Sequence, residues 1–222
     1  SPENFQPFIL ISVLMSLALL PILLTKRKPP TFKKIKSMSL KELYSASPLG
    51  MVSSIFYGTI QSALFTLLAV YAAAMNFSIF DISLVTFMLG ISGAISQYPI
   101  GYISDKFDRR KVIIYSTFGA AIFALFAIFS GGTMYLPEGL GSSKFWFYFF
   151  LIAFSMCSLP MFSLILAHTN DFITRDKFVA AGASLQFAFG LGAISGPFLC
   201  SLFMDLVGNN GFFVFLIIFH CL

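Results

Sequence analysis

Gly101-Tyr102-Ile103-Ser104-Asp105-Lys106-Phe107-Asp108-Arg109-Arg110-Lys111 places a dense knot of charge between two long apolar stretches. The run before it, Ile82 to Ile103, and the run after it, Val112 to Gly131, are each about 20 residues, enough to cross a hydrocarbon layer of roughly 30 Å. Charge confined to so short a gap marks a tight turn at a membrane surface. Its excess of bases puts that turn on the cytoplasmic side.

Composition agrees. Hydrophobic residues make up 58% of the chain and charged residues 10%, with a mean hydropathy of +0.88 and 29 phenylalanines. A soluble domain of this size could not hide so much apolar surface. The net charge of +5 does not imply a nucleic-acid partner, because the bases lie in short gaps between apolar blocks and not along one face of a soluble fold.

Further apolar stretches run from Phe5 to Leu24, Met51 to Met75, Phe145 to Ala167 and Val179 to Met204, and a seventh begins at Phe212. None of the six complete stretches holds Asp, Glu, Lys, Arg or His. Each is expected to be a helix, since a backbone in hydrocarbon must satisfy its own hydrogen bonds. The fold class expected is therefore all-α, a polytopic transmembrane bundle of about seven spans with the last one truncated. Bases fall after the first span (Lys26, Arg27, Lys28, Lys33, Lys34, Lys36, Lys41), the third (Lys106, Arg109, Arg110, Lys111) and the fifth (Arg175, Lys177), and only Lys144 lies in a gap of the other parity. Those three gaps are expected to be cytoplasmic and the first residue to lie outside.

The gap from Lys26 to Ser47 is long and basic, and Pro29-Pro30 stops helix within it. It reads as a linker, with its lysines either drawn to anionic lipid headgroups or regulatory. Ser39-Leu40-Lys41-Glu42 has capping-box spacing, and Pro48 suits the first turn of the next span. The opening stretch lacks a basic n-region and a small-residue cleavage site and ends in Lys26-Arg27-Lys28, so it reads as a span and not as a signal peptide. The chain is expected to be clipped at both ends.

Two readings of the charged turn are open on physical grounds. Gly101 lets another helix approach closely, Asp105 sits where a carboxylate can meet a helix N-terminus, and Arg109 and Arg110 can hold a nearby acid. Such a cluster makes a latch that breaks when two halves of a protein rock apart. Alternatively, the same residues only anchor the turn and enforce topology.

Gly101, Asp105, Lys106, Arg109 and Arg110 resemble the Gly-x-x-x-Asp-Arg/Lys-x-Gly-Arg-Arg/Lys loop of the major facilitator superfamily of secondary transporters. The resemblance implies that the acid and bases stabilise one conformation of an alternating-access cycle. Asp108 stands where that family usually has glycine, and the Asp-Arg-Arg variant is similar to the YcaD-like branch. Ser47-Pro48-Leu49-Gly50, Gly58, Val70-Tyr71-Ala72, Gln97-Tyr98-Pro99-Ile100-Gly101 and Ala167-His168-Thr169-Asn170-Asp171 resemble the same branch, so the likeness covers most of the chain from Pro48 to Phe212. Gly192-Ala193-Ile194-Ser195-Gly196-Pro197 is similar to a Gly-x-x-x-Gly-Pro motif of some transporters in the superfamily. Small residues four apart let helices pack backbone to backbone and proline bends the helix, though any membrane helix can use the same packing.

Counting helices against that family assigns residues 1–25 to the last helix of an N-terminal half, 26–47 to a basic cytoplasmic linker and 48–222 to a C-terminal six-helix half whose last helix is incomplete. The resemblance implies alternating-access transport of a small solute, efflux being one possibility, in the plasma membrane, or the inner membrane of a bacterium. The partners it implies are the lipid bilayer, an unidentified solute and the remaining half of the same chain, with no nucleic acid. A transporter's solute site lies near the midplane between halves, so the candidate cavity residues are Tyr57, Gln61, Thr66, Gln97, Ser158 and Gln186. A single buried amide more often bonds a neighbouring helix than a solute.

Proton-coupled transporters usually carry an ionisable residue inside the membrane, and the complete spans have none, with Asp81 at one edge and His168 at the other. Any coupling acid is expected in the other half, unless the protein is a uniporter or uses something other than a buried carboxylate. His168 is expected to anchor its loop, with Asp171 as a candidate partner, and Asp171 is also expected to pair with Arg109 or Arg110. Cys157, Cys200 and Cys221 lie within spans with no metal-ligand spacing, so no metal or cofactor is expected. No nucleophile elbow, paired acids or phosphate loop is present, which argues against an enzyme. A non-transporting receptor or scaffold on a transporter fold is the competing class, because fold does not fix function.

Overall fold

The computed structural model describes residues 5–25, 37–130 and 143–222. The basic tract Lys26-Arg27-Lys28, Pro29-Pro30, Lys33, Lys34 and Lys36 lies outside the described residues, so the expectations placed on it are not addressed by the structure. Every regular element among the described residues is helical. The chain divides into two units, Ser1–Ile35 and Lys36–Leu222.

The first unit contributes α1 (Gln6–Ala18) and α2 (Leu20–Leu23). The sequence read Phe5 to Leu24 as one continuous span, and the structure interrupts it at Leu19. Pro21 is the cause at hand, since it has no amide hydrogen to offer the carbonyl of Leu17 and its ring crowds the preceding turn.

The second unit runs α3 (Leu40–Ala46), α4 (Pro48–Ala74), α5 (Ile79–Lys106), α6 (Arg109–Ser130), α7 (Ser143–Ser158), α8 (Met161–Asn170), one 3-10 turn (Arg175–Lys177), α9 (Phe178–Val207) and α10 (Gly211–Cys221). Five helical stretches are long and apolar enough to cross a membrane: Pro48–Ala74, Ile79–Lys106, Arg109–Ser130, Lys144–Asn170 and Arg175–Val207. The two outermost of the seven expected spans appear as the shorter apolar helices Phe8–Leu23 and Gly211–Cys221.

Local chemistry explains the boundaries. Ser39 caps α3 by accepting from Glu42 N while Glu42 Oε2 accepts from Ser39 N at 2.8 Å, the reciprocal pair that the spacing predicted. Ser47 then caps α4, whose first helical residue is Pro48. At the far end of α4, Asn76 takes the left-handed conformation (φ 58°), and Phe77 N returns to Ala72 O at 3.0 Å to satisfy the last carbonyls. Ser78 and Asp81 form a second capping box at the start of α5. Gly208, at φ 77°, closes α9 in a conformation that a side chain would strain.

Two apolar clusters fill the unit. Tyr71, Phe147, Phe212 and Phe213 dominate the one near the α4–α5 turn, and Tyr57, Ile113, Ile165 and Leu185 belong to the one nearer the charged turn. The most extensive pairing is α4 on α9, and it is backbone to backbone. A Cβ on Gly192 would collide with the carbonyl of Ile55, one on Gly196 with the carbonyl of Thr59, and one on Gly58 with the carbonyl of Phe189. Ser54 donates to Leu185 O at 2.8 Å and Thr59 to Gly192 O at 3.1 Å, so hydroxyls stitch the same seam. Pro197 lies inside α9, which stays helical through it.

The stretch from Phe145 to Ala167, expected as one helix, is two. α7 ends at Ser158 and α8 begins at Met161. Pro160 cannot donate to the carbonyl one turn earlier, so the ladder fails there.

Candidate functional site

The charged turn between α5 and α6 is organised around one guanidinium. Arg109, in the first turn of α6, reaches Asp105 Oδ1 on α5 with Nη2 at 2.8 Å, Ser104 Oγ with Nη1 at 3.2 Å, and Asp171 Oδ2 at the end of α8 with Nε at 2.8 Å. A planar fork with donors on two edges can bridge three helix ends in this way, which a single ammonium could not. Arg110 does not touch Asp171. It lies over the ring of Phe172 at 5.4 Å, and Lys106 lies over Tyr102 at 4.3 Å.

Asp108, the departure from the family pattern, has a local job. Its Oδ1 accepts from Arg110 N at 2.9 Å, so it is the N-cap of α6. Gly101 is open, with nothing within 4 Å of the position a Cβ would take. Together with Gln97, Arg109, Pro160 and Ser163 it lines a groove of about 210 Å³ between α5 and α8. All the charges of the cluster belong to the unit Lys36–Leu222.

His168 is buried and packs edge-on against Phe172, ring centroids 4.9 Å apart. The carboxylate of Asp171, its candidate partner from sequence, goes to Arg109 instead. Beside these rings the backbone closes the turn, Asp171 N returning to the carbonyls of Ala167 and His168.

The six cavity candidates separate into two sets. Tyr57 is buried, donates to Leu159 O at 2.9 Å and packs against Phe162 and Phe189; Ser158 is buried on His220 Nε2 at 2.9 Å. Both are committed to internal bonds. Thr66, Gln97 and Gln186 are exposed and Gln61 is half-buried. None of these four side chains has a hydrogen-bond partner among the described residues. The glycines behave differently again: Gly192 and Gly196 are buried in the α4–α9 seam.

Two polar contacts escaped the sequence reading. His220, on α10, is buried between Ser158 and its own helix, with Nδ1 2.7 Å from Leu216 O. The signal was available, since the chain has two histidines, but only the complete spans were read for ionisable residues. At the opposite end from the charged turn, Lys144 Nζ meets Asp81 Oδ2 at 2.9 Å, and Tyr148 donates to Asp81 Oδ1 at 2.9 Å. Asp81 lies just before the apolar run of α5, where Lys144, Ser78 and Tyr148 all bond its carboxylate.

Comparison with known proteins bears on the family of the chain. The chain is similar to an uncharacterized MFS-type transporter, YfkF, of Bacillus subtilis, 25% identical over 181 residues, which is 80% of this chain and 44% of that protein. It is also similar to an uncharacterized MFS-type transporter, YcaD, of Escherichia fergusonii, 21% identical over 206 residues, covering 92% of this chain and 50% of that one. The chain therefore spans about half the length of the curated relatives it matches. No solved structure matches it. The family model for the Major Facilitator Superfamily covers residues 50–222, from the first turn of α4 through the charged turn and the α4–α9 seam to α10, and the chain is an integral membrane protein of that superfamily.

Proposed function

We propose that this chain supplies the last helix of a first half, a basic cytoplasmic linker and the second-half wall of a secondary transporter that carries a small solute across the plasma membrane by alternating access. The wall begins at Pro48, and the charged turn faces the cytoplasm.

The observation that carries this reading is the set Gln61, Thr66, Gln97 and Gln186. These are hydrogen-bonding side chains in apolar spans, and none has a partner among the described residues. An amide turned to hydrocarbon without a partner costs several kcal/mol, on the order of 2–7. Such side chains belong where water, a solute or the facing half can reach them. In this reading the four supply part of the solute path, and Tyr57 and Ser158 support it from within. Arg109, Asp105 and Asp171 hold the cytoplasmic ends of α5, α6 and α8 in one arrangement. The exposed edge of Asp105 and the bare face of Gly101 are left for the other half.

The test is flux. The full-length gene product, reconstituted in lipid vesicles, should move one class of small solute down or against its gradient. Gln97→Leu and Gln186→Leu should lower that flux without unfolding the protein. No flux for any solute class, alongside a stable protein partner in the membrane, would overturn transport in favour of a receptor or scaffold.

A further inference from the structure

A groove between α3 and the turn that follows α8 is a second polar feature at this end of the unit, separate from the Arg109 cluster. Met38, Lys41 and Ser45 line it from one side and Phe172, Ile173 and Lys177 from the other, around a volume of about 540 Å³. Both sides are fixed from beneath. Leu43 of α3 is fully buried, and Met38, Leu40 and Ile173 pack against the apolar cluster to which it belongs. Ser184 of α9 donates to the Met38 carbonyl at 2.5 Å, and the capping box closes the start of α3. The groove is therefore preformed.

Its charge is unbalanced. Lys41 and Lys177 are exposed, come from different segments and have no acid partner among the described residues. Glu42 is the acid in the lining, and its Oε2 is already taken by Ser39 N at 2.8 Å. Asp176, next to Lys177 in the chain, is not among the lining residues. Two ammonium groups at one preformed opening attract an anion.

Position selects the kind of anion. One span begins at Pro48, directly after α3, and another ends at Asn170, directly before Phe172, so the groove lies level with the membrane surface. Tyr44, Phe172 and Val179, on the segments that form and follow it, leave large apolar surfaces exposed. Bases beside exposed aromatic rings at the boundary of water and hydrocarbon suit a lipid, which offers phosphate to the first and acyl chain to the second.

We propose that this groove is a binding site for the headgroup of an anionic glycerophospholipid, with Lys41 and Lys177 on its phosphate and Phe172 against the start of its acyl chains. The site requires a membrane protein and stands whether or not the protein transports a solute. It differs from a diffuse attraction of bases to the membrane, which would make no distinction between Lys41 and any other exposed base at this surface.

The test is native mass spectrometry of the full-length gene product, titrated with phosphatidylglycerol, with phosphatidylcholine or with soluble glycerol 3-phosphate. One phosphatidylglycerol should bind ahead of the rest, roughly tenfold more tightly than phosphatidylcholine. Glycerol 3-phosphate, which has the headgroup chemistry but no chains, should not displace it. Lys41→Gln and Lys177→Gln should each weaken that first lipid roughly fivefold, while Lys111→Gln, an exposed base outside the groove, should change it less than about twofold. Ser45→Trp keeps both cations but fills the groove, and it should abolish the preferred lipid. All four positions are exposed, so a parent-like thermal midpoint should accompany each loss. Equal losses in the three lysine variants would reduce the binding to a diffuse surface field and overturn the site. Parent-like binding in Ser45→Trp, or equal affinity for the two lipids, would overturn it as well. Displacement by glycerol 3-phosphate would make a soluble phosphate the ligand and overturn the lipid.

Discussion

Arg109 and Asp171 meet Nε to Oδ2 at 2.8 Å, and this contact ties the start of α6 to the end of α8. Since the same guanidinium also holds Asp105, a single side chain gathers three helix ends at one end of the unit. The two side chains of the pair are 23% and 49% exposed, so solvent screens them and their contribution to folding stability is small, about 0–1 kcal/mol. Even 1 kcal/mol is several-fold in a two-state population. An ion pair of this kind is better suited to biasing a conformational balance than to holding a fold together.

Arg109→Gln should therefore leave the thermal midpoint within a few degrees of the parent's and raise the labelling rate of a cysteine at Ser163 several-fold. Asp171→Arg should do the same or more. Adding Arg109→Asp to Asp171→Arg should restore part of the parent behaviour, and only part, because a new carboxylate at 109 would stand beside Asp105. Adding Arg110→Asp should restore nothing, since Arg110 lies over Phe172. Recovery through Arg110 and not Arg109, in labelling rate and in flux, would show the pairing to be wrong.

The glycines divide sharply by what surrounds them. An added Cβ at Gly192 would meet the backbone of Ile55 and Thr59, whereas Gly101, Gly90 and Gly190 have nothing within 4 Å. Backbone cannot rotate out of the way, so Gly192→Ala should destabilise by about 1–3 kcal/mol, the usual cost of overpacking. It should lower the thermal midpoint in detergent. Gly101→Ala should leave stability nearly unchanged, within about 0.5 kcal/mol. If flux falls in Gly101→Ala at parent stability, the open face of α5 meets the other half, and unchanged flux would remove that role.

Tyr71 is fully buried against Phe147, Phe212 and Phe213, and its hydroxyl has no hydrogen-bond partner among the described residues. A buried hydroxyl left unpaired carries a desolvation penalty of about 1–3 kcal/mol. Tyr71→Phe keeps the ring stack and removes the oxygen, so it should leave the thermal midpoint unchanged or raise it. A clear fall would mean that the oxygen has a partner the structure does not describe.

Much of this was legible in the sequence because lipid simplifies the code. Apolar length and the capping box at Ser39 are local signals, and they needed no tertiary information. The breaks at Leu19 and at Leu159-Pro160 were not drawn, although Pro21 and Pro160 were visible. A proline inside a span need not end the helix, as Pro99 and Pro197 show. At the α7–α8 break Tyr57 bonds the Leu159 carbonyl from another helix, a contact that sequence does not reveal. For the same reason the site candidates looked alike in sequence. Only packing separates Tyr57 and Ser158, bonded inside, from Gln97 and Gln186, which are open.

The ring hydrogen of His220 gives a sharp spectroscopic test. Leu216 O can only accept, and it lies 2.7 Å from Nδ1, so the hydrogen belongs on Nδ1 and the Ser158 hydroxyl donates to Nε2 at 2.9 Å. With histidine labelled in its ring nitrogens, solid-state nitrogen NMR of the reconstituted protein should show a protonated Nδ1 and an unprotonated, hydrogen-bonded Nε2 for this residue. His168 serves as the internal comparison. Ser158→Ala should move the Nε2 resonance towards that of a free ring nitrogen while leaving Nδ1 in place, because only one of the two bonds is lost. The same variant leaves a buried acceptor without a donor and should cost about 1–3 kcal/mol of stability. A hydrogen found on Nε2 would reverse the bond to Ser158 and abolish the one to Leu216 O. Ser158 would then be the acceptor, Nδ1 could not bond Leu216 O, and His220 would no longer hold the α7–α8 interruption in the geometry described.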